Sequence, residues 1–323
     1  MKPHSVLASL AAALLITAIA PAVAPAPAVA QTKLKIAAGQ RGNWDSSVPE
    51  VAQRMGLARK HGVDLEILYT QGAGETQQAV ISGSVDIGVA AGVMGVLGAF
   101  SKGAPIRVIG NESTGAQDLY WYVKADSPIK SWADTAGKTL AYSTNGSSTH
   151  GVVQAFMNEK KLTAKLVATG GPPATLTQVM SGQIDVGWAA PPFGLDQLDK
   201  GEIRVIAKGS DTSFGGQTVR FNIVTPQTLS SKKDAIAAFT RAYREAVEAM
   251  YSDPKALTTY AEWLGISEAK ARRTRDDFFP KESIDPDRIV GLDVIVQEAV
   301  TLKYTATPMT KAQLDELIQL QPK

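Results

Sequence analysis

From residue 34 onward the chain alternates short apolar runs with amphipathic stretches. Leu34-Lys35-Ile36-Ala37-Ala38 reads as a strand. Val51, Met55 and Ala58 then fall at helical spacing behind Pro49, with Ser46 or Ser47 placed to cap that helix. Val63 to Tyr69 alternates apolar and polar as a strand does. The pattern predicts a helix over 75–82, a strand over 85–90, a helix over 93–101 and a strand over 106–110. Leu119 to Lys124 is a strand of different, aromatic character. A strand over 138–143, helix 150–160, strand 165–169, helix 174–181 and strands 184–189 and 203–207 follow, and Phe221 to Thr225 is one more strand. From Ser231 the pattern is helical only: Ile236, Phe239, Tyr243, Val247 and Met250 form one stripe, Asp253-Pro254 and Asp285-Pro286 each start a helix, and Thr310 with Gln313 forms a capping box. Strand–helix alternation with short connections predicts an α/β fold with mainly parallel, wound sheets.

The pattern also repeats. Ser82-Gly83-Ser84-Val85-Asp86-Ile87-Gly88 returns as Ser181-Gly182-Gln183-Ile184-Asp185-Val186-Gly187, 99 residues later. In each copy a helix ends at Ser-Gly, where glycine takes the left-handed position that closes helices, and a buried strand follows. Ile106 to Ile109 returns as Ile203 to Ile206, and Lys33 to Ala37 has a looser partner in Lys138 to Tyr142. An ordered set at a nearly constant offset predicts two lobes of like build, whereas a solenoid would need more copies at a shorter period. The aromatic strand 119–124 is the first crossing into the second lobe, and strand 221–225 is the return. The expected domains are residues 31–117, 118–225 for the second lobe, and a helical segment 226–323 that largely returns to the first.

The N-terminal 30 residues have their own character. Lys2 precedes an apolar run from Val6 to Ala20, too short to span a bilayer, and Ala28-Val29-Ala30 offers a small-x-small cleavage site. Residues 1–30 therefore read as a secretory signal peptide, cleaved after Ala30. The formal net charge is +2, of which Lys2 supplies one, so no polyanion partner is expected and nucleic acid is excluded. There is no cysteine. That removes thiol nucleophiles, thiolate metal sites and a lipidated N-terminal Cys, and leaves an exported protein to be stabilised by its core alone.

Two such lobes enclose a cleft, and ligands of open α/β sheets bind beyond the carboxyl ends of the strands. Gln40, Arg41, Asn43 and Trp44 lie there after the first strand, and Gly92 after the third. Thr144, Asn145, Gly146, Ser147, Ser148 and Thr149 form a hydroxyl-rich loop before a helix, more than a single cap requires. Trp188 and Pro191 follow the second repeat, with Trp188 standing where the first has Val89; Phe214 adds another aromatic near the cleft. Arg41 and Arg220 are balanced by Asp45 and Asp118, so converging helix N-termini, each worth about 0.3–1 kcal/mol to an anion, tilt the expectation to an organic anion. His4 falls in the leader and His61 at a helix C-terminus, which leaves His150 as the one histidine able to contact solute. No metal site, no cofactor, no paired catalytic carboxylates and no Gly-x-Ser-x-Gly elbow are expected, so the chain does not read as an enzyme.

The Trp44 loop, the run Met55 to Glu66, both Ser-Gly-x-x-Asp-x-Gly units and the segment Trp132 to Ala141 resemble, in order and spacing, periplasmic solute-binding proteins of the nitrate/taurine/aliphatic-sulfonate type. The resemblance implies a two-lobe type II clamshell with two hinge crossings. It also implies a free, monomeric periplasmic carrier that closes on a small, often anionic solute (a sulfonate, taurine-like or carboxylate ligand) and docks transiently on an inner-membrane ABC permease. A sensor lobe for small molecules is one rival. The other is the thiamine-pyrimidine synthase type of the same superfamily, whose histidine and cysteine chemistry with iron this cysteine-free chain does not match.

Overall fold

A computed structural model describes residues 31–322; the expected signal peptide, 1–30, lies outside the described residues. The first half contains β1 (Thr32–Gly39), α1 (Val48–Arg54), α2 (Leu57–Lys60), β2 (Val63–Thr70), α3 (Ala73–Ile81), β3 (Ile87–Gly92), α4 (Val93–Ser101) and β4 (Arg107–Thr114). The second contains β5 (Tyr120–Lys124), β6 (Thr139–Tyr142), α5 (Ser148–Glu159), β7 (Lys165–Ala168), α6 (Pro172–Met180), β8 (Gly187–Ala189), α7 (Leu195–Asp199) and β9 (Ile203–Lys208). Then come β10 (Thr218–Val224) and α8 (Pro226–Ser231), α9 (Lys233–Ser252), α10 (Pro254–Leu264), α11 (Glu268–Phe278), α12 (Leu292–Thr301) and α13 (Lys311–Leu317).

The strands form two sheets of one design. The first runs β2-β1-β3-β10-β4, with only β10 antiparallel to its neighbours. In the second, β8-β5-β9 continues through a parallel bridge from Val186 to Leu140 into β6-β7, so its order reads β7-β6-β8-β5-β9. Each sheet borrows its antiparallel strand from across the hinge: β5 follows β4 of the first sheet, and β10 follows β9 of the second. This is the two-lobe type II fold.

The repeated residues perform the same work twice. Asp86 accepts the Lys35 amide at 2.9 Å and returns its own amide to the Lys35 carbonyl at 2.8 Å. Asp185 accepts the Thr139 amide at 2.8 Å and hydroxyl at 2.7 Å. Each carboxylate thus satisfies a donor on the first strand of its lobe, β1 or β6, one of the backbone groups a sheet must account for. Gly88 and Gly187 are also needed. A Cβ on Gly88 would fall 2.8 Å from Val80 and 3.0 Å from Ile223; on Gly187 it would fall 2.7 Å from Val179 and 2.6 Å from Tyr122. In both lobes the crossing strand and the preceding helix close over a bare backbone. Thr70 with Thr76, 2.8 Å apart, and Thr169 with Thr175, 2.6 Å apart, tie each second strand to the first turn of the next helix.

Several sequence expectations shift. Neither Ser46 nor Ser47 caps α1; their hydroxyls turn back to the carbonyls of Gln40 and Asn43, at 3.1 and 2.5 Å, and tie down the β1 loop. Gly56, at φ 75°, splits the single expected helix into α1 and α2. Asp285-Pro286 does not start a helix, because both carbonyls are engaged by Asn111 of β4, and α12 begins only at Leu292 after Gly291. The expected α9 stripe is buried together with Leu34, Ile36, Val48 and Val51 in a core that also takes in Tyr260 and Phe279. A second core runs through the second lobe and the facing side of the first, with Trp132 and Phe156 stacked 4.2 Å apart. No helix among the described residues is long and apolar enough to cross a membrane.

Candidate functional site

Residues of the loops after β1, β2, β4 and β6, with Ala90 of β3, Trp188 of β8 and Arg220 of β10, converge where the lobes meet, around a cavity of about 20 Å³. The lobes touch through backbone. The amide of Gly74 donates to Thr144 Oγ1 at 3.0 Å. A Cβ on Gly72 would stand 2.6 Å from Thr144 Oγ1, one on Gly92 would stand 2.5 Å from the Gly146 carbonyl, and one on Gly74 or Gly95 would overlap the carbonyl of Asn145 or Gly146. Four glycines of the first lobe therefore make a seam against the 143–148 loop of the second. Across the mouth, α7 and α11 add ion pairs, Lys270 to Asp196 at 2.5 Å and Arg273 to Asp199 at 2.8 Å.

The cavity floor is a buried charge cluster centred on Arg220 of β10. Its Nη1 donates to Asp45 Oδ2 at 2.6 Å and Ser113 Oγ at 3.0 Å, its Nη2 to Asp118 Oδ2 at 2.8 Å, and its Nε to Ser148 Oγ at 3.0 Å. Burial works against this charge, but Asp118 and Asp45 outweigh it and hold the guanidinium protonated. One side chain thereby ties the return strand, the β1 loop, the first crossing and the N-terminus of α5. Glu112, wholly buried beside them, is pushed well above the carboxylate range by burial and then by the charge of Asp45.

Backbone strain marks the same place. Gln40 and Ala90 both have left-handed φ, 61° and 66°, which side chains seldom adopt. Ala90 sits in a bulge, since Val89 and Ala90 of β3 face the single Asn222 of β10. Bulges re-aim chains beside sites, and here the bulge brings Ala90 to the cavity wall.

Of the residues singled out in the sequence, Gln40, Asn43, Ser147, Ser148, Thr149 and Trp188 line the cavity. The hydroxyl loop divides its tasks. Ser147 Oγ caps α5 by accepting the His150 amide at 3.1 Å, Thr149 Oγ1 accepts the Ser143 amide at 2.9 Å, and Ser148 receives Arg220. Thr144, Gly146 and Gly92 belong to the seam, while Asn145 is exposed and accepts the Tyr142 hydroxyl at 2.6 Å. Trp44 is placed elsewhere: it is fully buried, edge-on to Tyr260 at 4.8 Å, and its Nε1 donates to Tyr251 at 3.1 Å. Phe214 is likewise core, against Gly151 and Met94, and Pro191 is buried without lining the cavity.

Arg41 turns outward, 4.8 Å over the Trp263 ring, and with Ala189, Pro172, Leu176, Phe193 and Leu264 lines an outer chamber of about 280 Å³. His150 stacks on Tyr142 at 4.4 Å and meets the Tyr304 hydroxyl at 2.8 Å, and burial pushes it down to about 4. It does not line the cavity. Gly72, Ala73 and Leu119 do, without having been singled out for the site. The carboxyl-end rule that pointed to the other loops covers Gly72 and Ala73 equally, since they follow β2. Among the described residues no group of three or more His, Cys, Asp or Glu could hold a metal ion.

A family model described as NMT1/THI5 like matches residues 49–257, more than half of the chain. The chain belongs to the NMT1/THI5-like family. No curated protein matches it. Among solved structures, this NMT1/THI5-like chain is similar to the alkanesulfonate-binding protein of Xanthomonas axonopodis pv. citri bound to MOPS, with 17% identity, a TM-score of 0.73, and 92% of this chain and 100% of that one covered. The periplasmic aliphatic sulphonate-binding protein of Escherichia coli gives 17% identity and a TM-score of 0.65 over 90% and 94%. The periplasmic nitrate-binding protein of Synechocystis PCC 6803 gives 13% and 0.68 over 90% and 86%. At such identities the likeness establishes the periplasmic binding protein fold.

Proposed function

We propose that this chain is the periplasmic solute-binding component of an ATP-driven importer: it captures a small organic solute between its lobes, closes, and presents the closed form to a membrane permease. The observation that carries this reading is the cavity between the lobes, walled by residues of both and bordered by a glycine seam that brings them into contact. Solute touching both walls favours the closed form and shifts the population toward it. The structural relatives named above are binding proteins for sulfonates and nitrate, which supports a carrier. The residue inventory also disfavours an enzyme, with no cysteine, His61 turned to Glu245 at 2.7 Å, and His150 held between two tyrosines.

An organic body fits the outer chamber, because an apolar cavity of about 150 Å³ already admits benzene. The anionic head group expected from the sequence would rest on the N-terminus of α3, whose Gly72 N-cap supplies no side chain; α6 opens with Pro172 and Pro173, which have no N–H to offer. Neither guanidinium reinforces it, since Arg220 is spent on two aspartates and Arg41 lies on Trp263. The test is a thermal-shift panel of small organic solutes on residues 31–323, followed by calorimetry. A cognate solute at about 100 times its Kd adds roughly 2.7 kcal/mol of stability. A panel spanning acids, amides, amines and sulfonates in which nothing stabilises the protein contradicts the carrier reading.

A further inference from the structure

The cavity contains a demand that its own residues leave unmet. Among the described residues, only two buried polar side-chain atoms without a partner belong to residues lining it: Trp188 Nε1 and Asn43 Oδ1. Both residues are more than nine-tenths buried, at 1% and 5% exposure, and they come from opposite lobes. An indole N–H only donates, and an amide oxygen only accepts. Buried groups of this kind are nearly always satisfied in native proteins, and a solute head group with an acceptor for Trp188 and a donor for Asn43 would satisfy both. Trp188 is also the residue that distinguishes the second repeat from the first, where Val89 stands.

The charge of the floor argues about the same partner. Arg220 already gives four of its five N–H groups to Asp45, Asp118, Ser113 and Ser148. Asp45 and Asp118 both pair with this one guanidinium, so the floor has no positive charge to spare for a solute. A buried anion requires a paired cation, and none is free here. A carboxylate or sulfonate would satisfy Trp188 but would set oxygen lone pairs against Asn43 Oδ1 and the Asp45 carboxylate.

We propose that the head group of the solute is uncharged and carries both an acceptor and a donor, as a carboxamide or ureido group does, with Trp188 Nε1–H and the Asn43 side chain as its receivers. This rests on the carrier reading and narrows its solute class. Trp188 and Asn43, one from each lobe, then report through a single head group that closure is complete.

The test uses two matched sets on residues 31–323, each sharing one body: benzamide, benzoate and benzenesulfonate, and hexanamide, hexanoate and hexanesulfonate. Calorimetry should show each amide binding at least about tenfold tighter than its acid and sulfonate. Trp188→Phe, which keeps an aromatic side chain but removes the indole N–H, should weaken amide binding about tenfold in protein that circular dichroism shows to be folded. Asn43→Ala should weaken it similarly. Tighter or equal binding of the acid or sulfonate overturns the head-group assignment and leaves the carrier reading standing. Unchanged amide affinity in Trp188→Phe overturns the assignment as well, as does an absence of amide binding. A broader panel in which no solute of any charge binds removes the carrier reading itself.

Discussion

The two lobes share a frame and differ where they face each other. Asp86 and Asp185, Gly88 and Gly187, and the threonine pairs Thr70–Thr76 and Thr169–Thr175 hold equivalent joints of equivalent sheets. At the cleft the likeness ends. The first lobe offers bare backbone at Gly74, Gly92 and Gly95, and charge at Asp45 and Arg220. The second offers hydroxyls at Ser147, Ser148 and Thr149, and an indole at Trp188. Positions kept in both lobes carry the fold, and positions that diverge carry the site. Such a division can be broken experimentally, because the two classes of position should fail in different measurements.

The sharpest contrast is between two glycines. Gly74→Val should lower solute affinity about 100-fold or more, because its side chain would occupy the place of the Asn145 carbonyl and keep the seam open, while solute-free stability stays near that of the wild type. Gly187→Val should do the reverse: overpacking between Val179 and Tyr122 should cost about 1–3 kcal/mol of stability by urea titration. Affinity of the folded fraction should be retained. If both variants lost stability alike, the seam would be part of the frame and the division would fail.

A smaller effect separates the lobes by pH. His150 on α5 has no counterpart on α1, whose residues 48–54 include no histidine. Burial pushes its imidazole down to about 4. A base whose folded pKa lies below the unfolded value near 6.5 contributes stability that is complete above that value and lost as pH falls toward 4. The loss should reach about 2 kcal/mol at pH 5. Urea titrations at pH 7 and pH 5 should show it in the wild type and a flatter response in His150→Gln. An unchanged slope in the variant would assign the acid sensitivity elsewhere.

The least effect belongs to the rim. Asp196→Ala and Asp199→Ala remove the partners of Lys270 and Arg273, exposed pairs worth about 0.2–1 kcal/mol each. Each should weaken solute binding by no more than severalfold, and the difference from wild type should vanish in about 0.5 M salt. A difference that persisted at high salt would mean that these carboxylates do more than latch the mouth.

What the sequence revealed and what it concealed follow the same line. The repeat was legible because its residues serve local joints: Gly83 and Gly182 both close helices with positive φ, and Asp86 and Asp185 each reach one neighbouring strand. The hydroxyl loop was legible for a similar reason, since Ser147 caps the helix it precedes. Trp44 was misplaced because the partners that bury it, Tyr251 and Tyr260, come from helices about 200 residues further on. In the sequence Arg220 stood against Asp45 and Asp118 only as a balance of charge; the direct pairing appears when the fold brings both to it from the β1 loop and the first crossing. The seam was invisible in one dimension, because a glycine that meets another lobe has the same spelling as one that turns a loop.

The central claim is that the lobes move as bodies and close on solute. The chain has no cysteine, so two can be introduced cleanly at exposed rim positions, Lys200 on the second lobe and Arg272 on α11. Pulsed electron–electron resonance between spin labels at Lys200→Cys and Arg272→Cys would give the distance distribution across the mouth. The account predicts a broad or long distribution without solute and a single short distance with a solute that stabilises the protein. A distribution that such a solute leaves unchanged would contradict it.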